Sequence, residues 1–278
     1  MAIPIFMLTY ANQRIEESII SLLKSTKADY TLFIVNNSGT KSSHASLLTR
    51  LSGVYGFSII HSINLWVLSL NNPLIQQVMN RSTYYVVTDD DILFPNGDKD
   101  DWLAYLLARM NQYSFLGKLS LSLSWSPSES DPPSPDIPFP MSINQLLKLK
   151  EILPGLRSFT GDTTPAIYRS RLFSPSNNFF SPRHQKLIRP DLHACVTTLF
   201  TCTSLSNTSF IAYPESYMRD KALCFGLVSA YLSKDNLQRT PLMPKLFYLL
   251  VRPLANSLWI IHLFICHLFF ILNFLISR

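Results

Sequence analysis

The sequence is poor in charged residues, in glycine and in cysteine. Charged side chains make up 15% of the 278 residues, against roughly a quarter in an average soluble domain, whereas hydrophobic residues make up 47%. Disordered chains combine low hydrophobicity with high charge, so this composition excludes intrinsic disorder. The apolar excess also indicates that part of the chain is a membrane-directed segment.

Cysteine pairs, secretory signals and basic blocks are also lacking. The four cysteines form no CxxC pair and no zinc spacing, which is typical of free thiols in a reducing compartment. The N-terminus lacks the basic start and apolar stretch of a signal peptide, so we expect the folded part of the chain to be cytoplasmic. The net charge of +6 is spread along the chain. A diffuse basic excess fits lipid headgroups, a phosphorylated substrate or nucleic acid, and selects none of them.

Apolar runs alternate with helix-like segments over the first 125 residues. Strands separated by helices predict an α/β fold, with a mostly parallel, Rossmann-like sheet that is flanked by helices. The predicted strands are Ile3–Thr9, Tyr30–Val35, Phe57–His61, Thr83–Thr88 and Lys118–Trp125, and the predicted helices are Ile15–Leu23, Ala45–Leu51, Pro73–Asn80 and Trp102–Met110.

The second half of the chain has weaker patterns. Residues 126–140 contain six prolines, which predicts a surface loop or a flap beside a ligand site. A helix is expected over Leu146–Ile152 and a strand over Thr163–Tyr168, and residues 171–222 show no clear pattern. We therefore expect one domain over residues 1–240, with residues 1–95 forming a ligand-binding half and residues 141–240 a second half.

The C-terminal part, residues 245–278, differs from the rest of the chain. Leu258–Ile276 is a run of nineteen residues without a formal charge. As a helix it would extend about 28 Å, close to the hydrocarbon thickness of a bilayer. Lys245 and Arg252 precede the run, and Arg278 follows it. The run predicts a hydrophobic helix that spans the membrane, lies in its interface or against a partner membrane protein, or is buried in the protein core.

Three consecutive aspartates, Asp89, Asp90 and Asp91, directly follow the strand TYYVVT. Like charges repel and burial disfavours ionisation, so such a cluster is costly unless a cation neutralises it. In an extended chain Asp89 and Asp91 point to the same side and can share one ion, while Asp90 faces away. Mg²⁺ or Mn²⁺ prefers these oxygen ligands and binds diphosphates. The alternative interpretation is a solvated acidic turn.

Residues 1–95 resemble the catalytic core of glycosyltransferase family 2, which has the GT-A fold. Pro4–Asn12 is similar to the first strand and its loop, Leu32–Gly39 to the second strand and its Asn-rich turn, and Tyr85–Ile92 to the strand with the DxD metal motif. The family has an Asn-Gly segment before a helix. Here Asn64 is followed by Leu65 and Trp66, and no glycine is present.

The resemblance implies a glycosyltransferase that moves a sugar from a nucleotide-sugar donor to a hydroxyl acceptor with inversion, in cell-envelope or surface glycan synthesis. Asp89 and Asp91 would bind Mg²⁺ or Mn²⁺. The expected partners are the donor, a glycan or lipid-linked acceptor and the membrane, but not nucleic acid. Residues that would contact the nucleotide sugar are Thr9, Tyr10, Asn12, Asn36, Asn37, Asn64, Asp89 and Asp90.

Inverting transfer needs a general base for the acceptor hydroxyl. The stretch Ile188–His193 falls near the position of the family's usual base, and no clear Glu-Asp pair appears there. The remaining candidates are Asp162, Asp191 and His193. This departure keeps a non-catalytic membrane scaffold with a degenerate GT-A fold open as an alternative. A metal-dependent phosphotransferase or nuclease is the other alternative, because clustered aspartates also serve two-metal chemistry.

Overall fold

The computed structural model describes residues 2–40, 42–62, 66–95, 101–125, 143–158, 165–170, 194–205, 215–227, 232 and 234–276. The strands are β1 (Ile3–Thr9), β2 (Tyr30–Asn36), β3 (Ser58–His61), β4 (Tyr84–Asp89), β5 (Ile92–Leu93), β6 (Lys118–Trp125), β7 (Glu151–Leu153), β8 (Leu156–Ser158), β9 (Ala166–Arg169) and β10 (Ala194–Ser204). The helices are α1 (Ile15–Ser25), α2 (Ser43–Tyr55), α3 (Pro73–Arg81), α4 (Trp102–Gln112), α5 (Ile143–Lys148), α6 (Glu215–Leu227), α7 (Lys234–Arg239) and α8 (Leu242–Ile276), with a 3₁₀ turn over Trp66–Asn71.

One sheet contains all of these strands, in the order β3-β2-β1-β4-β9-β6-β10-β8-β7, and β5 pairs with β10. The strands β3, β2, β1 and β4 are parallel, as is the pair of β6 and β10. The strands β9, β8, β7 and β5 pair antiparallel with their neighbours. The α/β prediction is confirmed, but the prediction of a mostly parallel sheet is wrong. The antiparallel strands are only two to four residues long, and such short strands leave no long apolar run in the sequence.

Helices cover both faces of the sheet, because successive side chains of the buried strands point to opposite sides. In β1, Ile5 and Met7 belong to one apolar core with the helices α1, α2 and α4. Phe6 and Leu8 belong to a second core with α3 and with Cys224 of α6. This two-sided burial explains why β1 has a continuous apolar sequence rather than an alternating one.

Asp101 fixes the start of α4 against the loop between α1 and β2. Its Oδ1 accepts hydrogen bonds from the backbone nitrogens of Leu103 at 2.9 Å and Ala104 at 3.3 Å. Its Oδ2 accepts from the nitrogens of Lys27 at 2.9 Å and Ala28 at 2.5 Å. A single carboxylate therefore caps one helix and satisfies the backbone of a neighbouring loop.

The structure corrects two predictions in the second half of the chain. The helix predicted over Leu146–Ile152 spans Ile143–Lys148, because the chain from Glu151 forms β7, which pairs with β8 in a hairpin that turns at Gly155 (φ 75°). The region predicted to lack a pattern contains β10 and the start of α6. The register of β10 against β6 shifts between Thr197 and Thr201, which disrupts the alternation by which a strand is recognised in a sequence.

The helix α8 begins sixteen residues before the apolar run and packs against α6 in its first half. Tyr248 and Ala255 are buried, and a Cβ atom on Gly226 of α6 would lie 3.3 Å from Tyr248 Cα. Among the described residues, no helix is both long and apolar enough to cross a membrane. The prediction of a spanning helix over Leu258–Ile276 is therefore not supported. The first half of α8, which contains Lys245 and Arg252, contacts α6.

Candidate functional site

The carboxyl ends of four parallel strands bring most of the predicted site residues to one edge of the sheet. The strand register pairs Thr9 of β1 with Asn36 of β2, and Asn36 with His61 of β3. On the other side of β1, Leu8 pairs with Asp89, the last residue of β4. Polar side chains thus follow directly after buried strands at this edge, which is where open α/β sheets bind ligands.

Contacts from two distant segments hold the three aspartates in place. The carbonyl oxygen of Asp90 accepts hydrogen bonds from Asn12 Nδ2 at 2.9 Å and Ser18 Oγ at 2.6 Å. The carbonyl oxygen of Asp91 accepts one from the nitrogen of Leu205 at 2.6 Å, just after β10. The acidic turn is therefore fixed through its backbone, by contacts that do not use its carboxylates.

The three carboxylates lie in different environments. Asp89 and Asp91 are half-buried, and Asp90 is buried. Burial raises the pKa of Asp90 to about 7, and the neighbouring charge of Asp91 contributes to the rise, against opposing hydrogen bonds from the side chains of Thr9 and Asn12. Asp90 Oδ2 is buried without a hydrogen-bond partner. Such an oxygen fits a proton, a cation or a hydroxyl of a bound ligand.

A buried hydrogen bond joins the end of β1 to the helix α2. Thr9 Oγ1 lies 2.8 Å from His44 Nε2, and both residues are buried. Burial lowers the pKa of His44, so its imidazole is neutral at pH 7. The other ring nitrogen, Nδ1, is buried and has no hydrogen-bond partner.

Asn36 shapes the loop after β2. Its Oδ1 accepts a hydrogen bond from the nitrogen of Ser38 at 2.9 Å, and its Nδ2 donates to the carbonyl oxygen of Gly39 at 3.0 Å. Nδ2 also lies 3.1 Å from His61 Nδ1. Gly39 has a φ of 79°, which favours glycine. The side chain of Asn36 thus supports the turn, and its predicted contact with a nucleotide stays a prediction.

The loops after β1 and β2 contact each other. The nitrogen of Asn37 donates to the carbonyl oxygen of Thr9 at 2.9 Å, and Asn37 Oδ1 accepts from Ser69 Oγ. The nitrogen of Ala11 donates to Ser38 Oγ at 2.8 Å, and Ala11 has a φ of 53°. Tyr10, which is half-buried, lies between these contacts in the chain. The sequence-predicted residues Thr9, Tyr10, Asn12, Asn36, Asn37, Asp89, Asp90 and Asp91 therefore belong to one assembly of loops.

Four of the predicted site residues lie outside the described residues: Asn64, Asp162, Asp191 and His193. They comprise one predicted nucleotide contact and all three candidates for the general base. Within the described part of the chain, no group of three or more His, Cys, Asp or Glu side chains is arranged to hold a metal ion. The binding of a metal by Asp89 and Asp91 stays a prediction.

Sequence reasoning missed several residues that support the site. Ser18 binds the backbone of the acidic turn, Ser69 binds Asn37, and His44 binds Thr9. None of them lies in a recognisable motif, because their role depends on tertiary contacts over 32 to 72 residues. The one local signal is that Ser18 and His44 lie in helices that directly follow the two polar loops.

No known family matches the sequence, and no curated protein matches it. Similar solved structures are S. aureus TarS 1–349 (12% identity, 86% of this chain, 69% of that chain, TM-score 0.45) and the mannosyltransferase PcManGT from Pyrobaculum calidifontis in complex with GDP-Man and Mn²⁺ (11%, 92%, 73%, 0.47). A third is GalNAc-T7 with UDP, GalNAc and Mn²⁺, which is 7% identical over 81% of this chain with a TM-score of 0.50. The chain spans about half of GalNAc-T7, at 47% of its length. The likeness to GalNAc-T7 is one of fold, and the chain has a GT-A-like fold: a mixed sheet between layers of helices.

Proposed function

We propose that the protein is a glycosyltransferase that moves a sugar from a nucleotide-sugar donor to a hydroxyl acceptor with inversion. The observation that carries this proposal is the meeting of the acidic turn with the polar loops after β1 and β2 at one edge of a GT-A-like sheet. The similar structure of GalNAc-T7 contains UDP together with Mn²⁺, which is consistent with a nucleotide donor and a divalent cation. Membership of glycosyltransferase family 2 is part of the proposal.

In this proposal Asp89 and Asp91 hold Mg²⁺ or Mn²⁺. Both carboxylates are half-buried at the edge of the sheet, and oxygen ligands suit these ions. When bound, the ion would neutralise the charge that develops on the departing diphosphate. Asp90, whose Oδ2 is buried without a partner, would accept a hydrogen bond from the nucleotide sugar.

The loops after β1 and β2 would bind the nucleotide. Tyr10, Asn12 and Asn37 supply a ring and amide groups next to the acidic turn, and Thr9 and Asn36 fix the ends of the two strands. A base from the second half of the chain, Asp162, Asp191 or His193, would remove the proton of the acceptor hydroxyl. The acceptor oxygen then attacks the anomeric carbon from the face opposite the diphosphate, which inverts the configuration.

The experiment is a thermal-shift panel of nucleoside diphosphates and nucleotide sugars, with and without Mn²⁺. A ligand at about 100 times its Kd stabilises the protein by about 2.7 kcal/mol, which raises the Tm of a chain of this size by about 5 °C. We expect a Mn²⁺-dependent shift with at least one ligand. The variant Asp91→Asn should lose the shift, and the matched variant Asp29→Asn, in an exposed loop, should keep it.

Three results would contradict parts of this proposal. A flat response to the whole panel would favour the non-catalytic scaffold. A shift that is equally large in EDTA would contradict the metal assignment. A ligand-bound protein that hydrolyses or transfers phosphate rather than a sugar would favour the phosphotransferase alternative.

We further propose that the first half of α8 binds an anionic membrane surface, which would bring the catalytic domain to a lipid-linked or envelope glycan acceptor on the cytoplasmic side. The side chains of Leu242, Met243, Leu250 and Leu254 are 63–76% exposed. Lys245 and Arg252 are the charged residues of Leu242–Ile276, and both are basic. Exposed apolar side chains beside basic ones are typical of interfacial helices.

Vesicle flotation tests this location. We expect the full chain to float with vesicles that contain phosphatidylserine, and to float less with purely neutral ones. Leu250→Gln, which removes the apolar side chain without adding charge, should reduce flotation, whereas Leu74→Gln, at another exposed leucine that lies on α3, should not. Equal flotation of both variants and the wild type would contradict a role of this face of α8.

A further inference from the structure

We infer that His61 is a specificity-determining residue, which donates a hydrogen bond from Nε2 to a carbonyl oxygen of the nucleobase. This inference rests on the proposed function, because it assigns a role in recognising the nucleotide of the sugar donor. His61 is the last residue of β3, at the same edge of the sheet as the acidic turn, and its side chain is exposed.

The backbone of the loop after β2 fixes the orientation of the Asn36 amide. The nitrogen of Ser38 can only donate, so the amide atom 2.9 Å from it is Oδ1. The carbonyl oxygen of Gly39 can only accept, so the amide atom 3.0 Å from it is Nδ2. A flipped amide would break both contacts of a residue that is fully buried.

The orientation of Asn36 determines the tautomer of His61. Asn36 Nδ2 has two protons and no lone pair, so it donates one proton to Gly39 and the other to His61 Nδ1, which lies 3.1 Å away. His61 Nδ1 must therefore present its lone pair, and the neutral ring carries its proton on Nε2. Asn36 has no amide proton left for a ligand. His61 Nε2 has one, and no hydrogen-bond partner for it lies among the described residues.

The strand order places His61 at a distance from the acidic turn. The strands β3, β2, β1 and β4 are consecutive in the sheet, and the register brings His61, Asn36, Thr9 and Asp89 level to within one residue. Neighbouring strands lie about 4.8 Å apart, so the end of β3 is about 14 Å from the end of β4. The base is the part of a nucleoside diphosphate farthest from its phosphates. A ligand with its diphosphate beside Asp89 would therefore bring its base, and not its phosphates, to His61.

An N–H donor at this position selects among the bases. Uracil and guanine have a carbonyl oxygen where cytosine and adenine have an amino group. His61 Nε2 can donate to the carbonyl oxygen, whereas it would face a second donor in the amino bases. We therefore expect the sugar donor to contain uracil or guanine.

Calorimetry on the full chain with Mn²⁺ tests this role, with UDP and CDP as one matched pair of probes and GDP and ADP as the other. His61→Phe keeps a ring and removes the donor. We expect the wild type to prefer the carbonyl-bearing member of at least one pair. His61→Phe should bind that member about 2- to 10-fold more weakly, the range for one neutral hydrogen bond, and should bind the amino member unchanged. Ser58→Ala, at the exposed other end of β3, should keep the wild-type preference.

Several results would overturn the assignment of His61. It fails if the wild type has no preference or prefers the amino members. It also fails if His61→Phe weakens both members equally, which is the result for a merely structural residue, or changes neither.

The ¹⁵N chemical shifts of the imidazole give a test that needs no ligand. A proton on Nε2 supports the inference, and a proton on Nδ1 overturns it. The two proposals can fail separately. If the wild type binds no nucleoside diphosphate, the proposed function fails and the role of His61 fails with it. Mn²⁺-dependent binding with the same base preference in the wild type and in His61→Phe refutes only the role of His61.

Discussion

Asp90 should make the protein less stable as the pH rises from about 4 to about 7. Its pKa in the folded protein is raised to about 7 from the ordinary value of 3.8, so the folded state holds this proton more tightly than the unfolded state does. Below about pH 3 both states are protonated and the residue has almost no effect. Between the two values the unfolded state ionises first, and the free energy of unfolding falls.

The size of the effect follows from the same two values. Each pKa unit corresponds to about 1.4 kcal/mol, so the ionisation of Asp90 should lower the free energy of unfolding by about 4 kcal/mol at pH 8. Asparagine has a similar shape and stays neutral. Asp90→Asn should therefore match the wild type at about pH 3 and exceed its stability by up to about 4 kcal/mol at pH 8.

The assay is urea unfolding in EDTA at several pH values, followed by intrinsic tryptophan fluorescence, to which the fully buried Trp102 contributes. Other carboxylates titrate over the same range, so the informative quantity is the difference between wild type and variant. Asp29→Asn, at an exposed position, controls for the loss of one negative charge. If Asp90→Asn shows the same pH dependence as the wild type, the carboxyl group is not held in a buried, charge-disfavouring environment.

Two further predictions concern the backbone that supports the site. Ala11 has a φ of 53°, a left-handed conformation that is strained for alanine, so Ala11→Gly should raise the free energy of unfolding by up to about 1 kcal/mol. The same change at Ala108 in α4 should lower the free energy of unfolding by about 1 kcal/mol. If urea titrations show a loss of stability at both positions, the backbone of Ala11 is not strained. Asp101→Asn should lower stability by about 1 to 2 kcal/mol, because the NH₂ group that replaces Oδ2 cannot accept hydrogen bonds from Lys27 and Ala28. Asp101→Ala should lower it more, because it also removes the helix cap. Equal stability of the two Asp101 variants would show that the cap adds nothing beyond the contacts to the loop.

Local patterns predicted the first half of the fold well because its elements are long and regular. The strands β1 and β2 are continuous apolar runs, and α1 and α4 have helical spacing, so each could be identified without its neighbours. The second half depends on short antiparallel strands and on the register shift in β10. Those features are stabilised by pairing with other strands, and pairing leaves little trace in a single sequence.

The candidate site divides in the same way. Asp89, Asn36 and Thr9 could be identified because strand ends are local features, and parallel strands end at a common edge. Their supporting partners could not, because His44 contacts Thr9 over 35 positions and Ser18 contacts Asp90 over 72. Sequence spacing shows which side chains reach an edge, but not which buried groups orient them.

The buried carboxylate links the stability of this fold to the occupancy of its site. An ionised Asp90 lowers the free energy of unfolding, and a bound cation or hydroxyl donor would restore part of it by supplying a partner for Oδ2. The backbone contacts from Asn12, Ser18 and Leu205 keep the turn folded without such a ligand. The edge of the sheet can therefore present its acidic turn to a ligand, because hydrogen bonds that do not involve the carboxylates stabilise it.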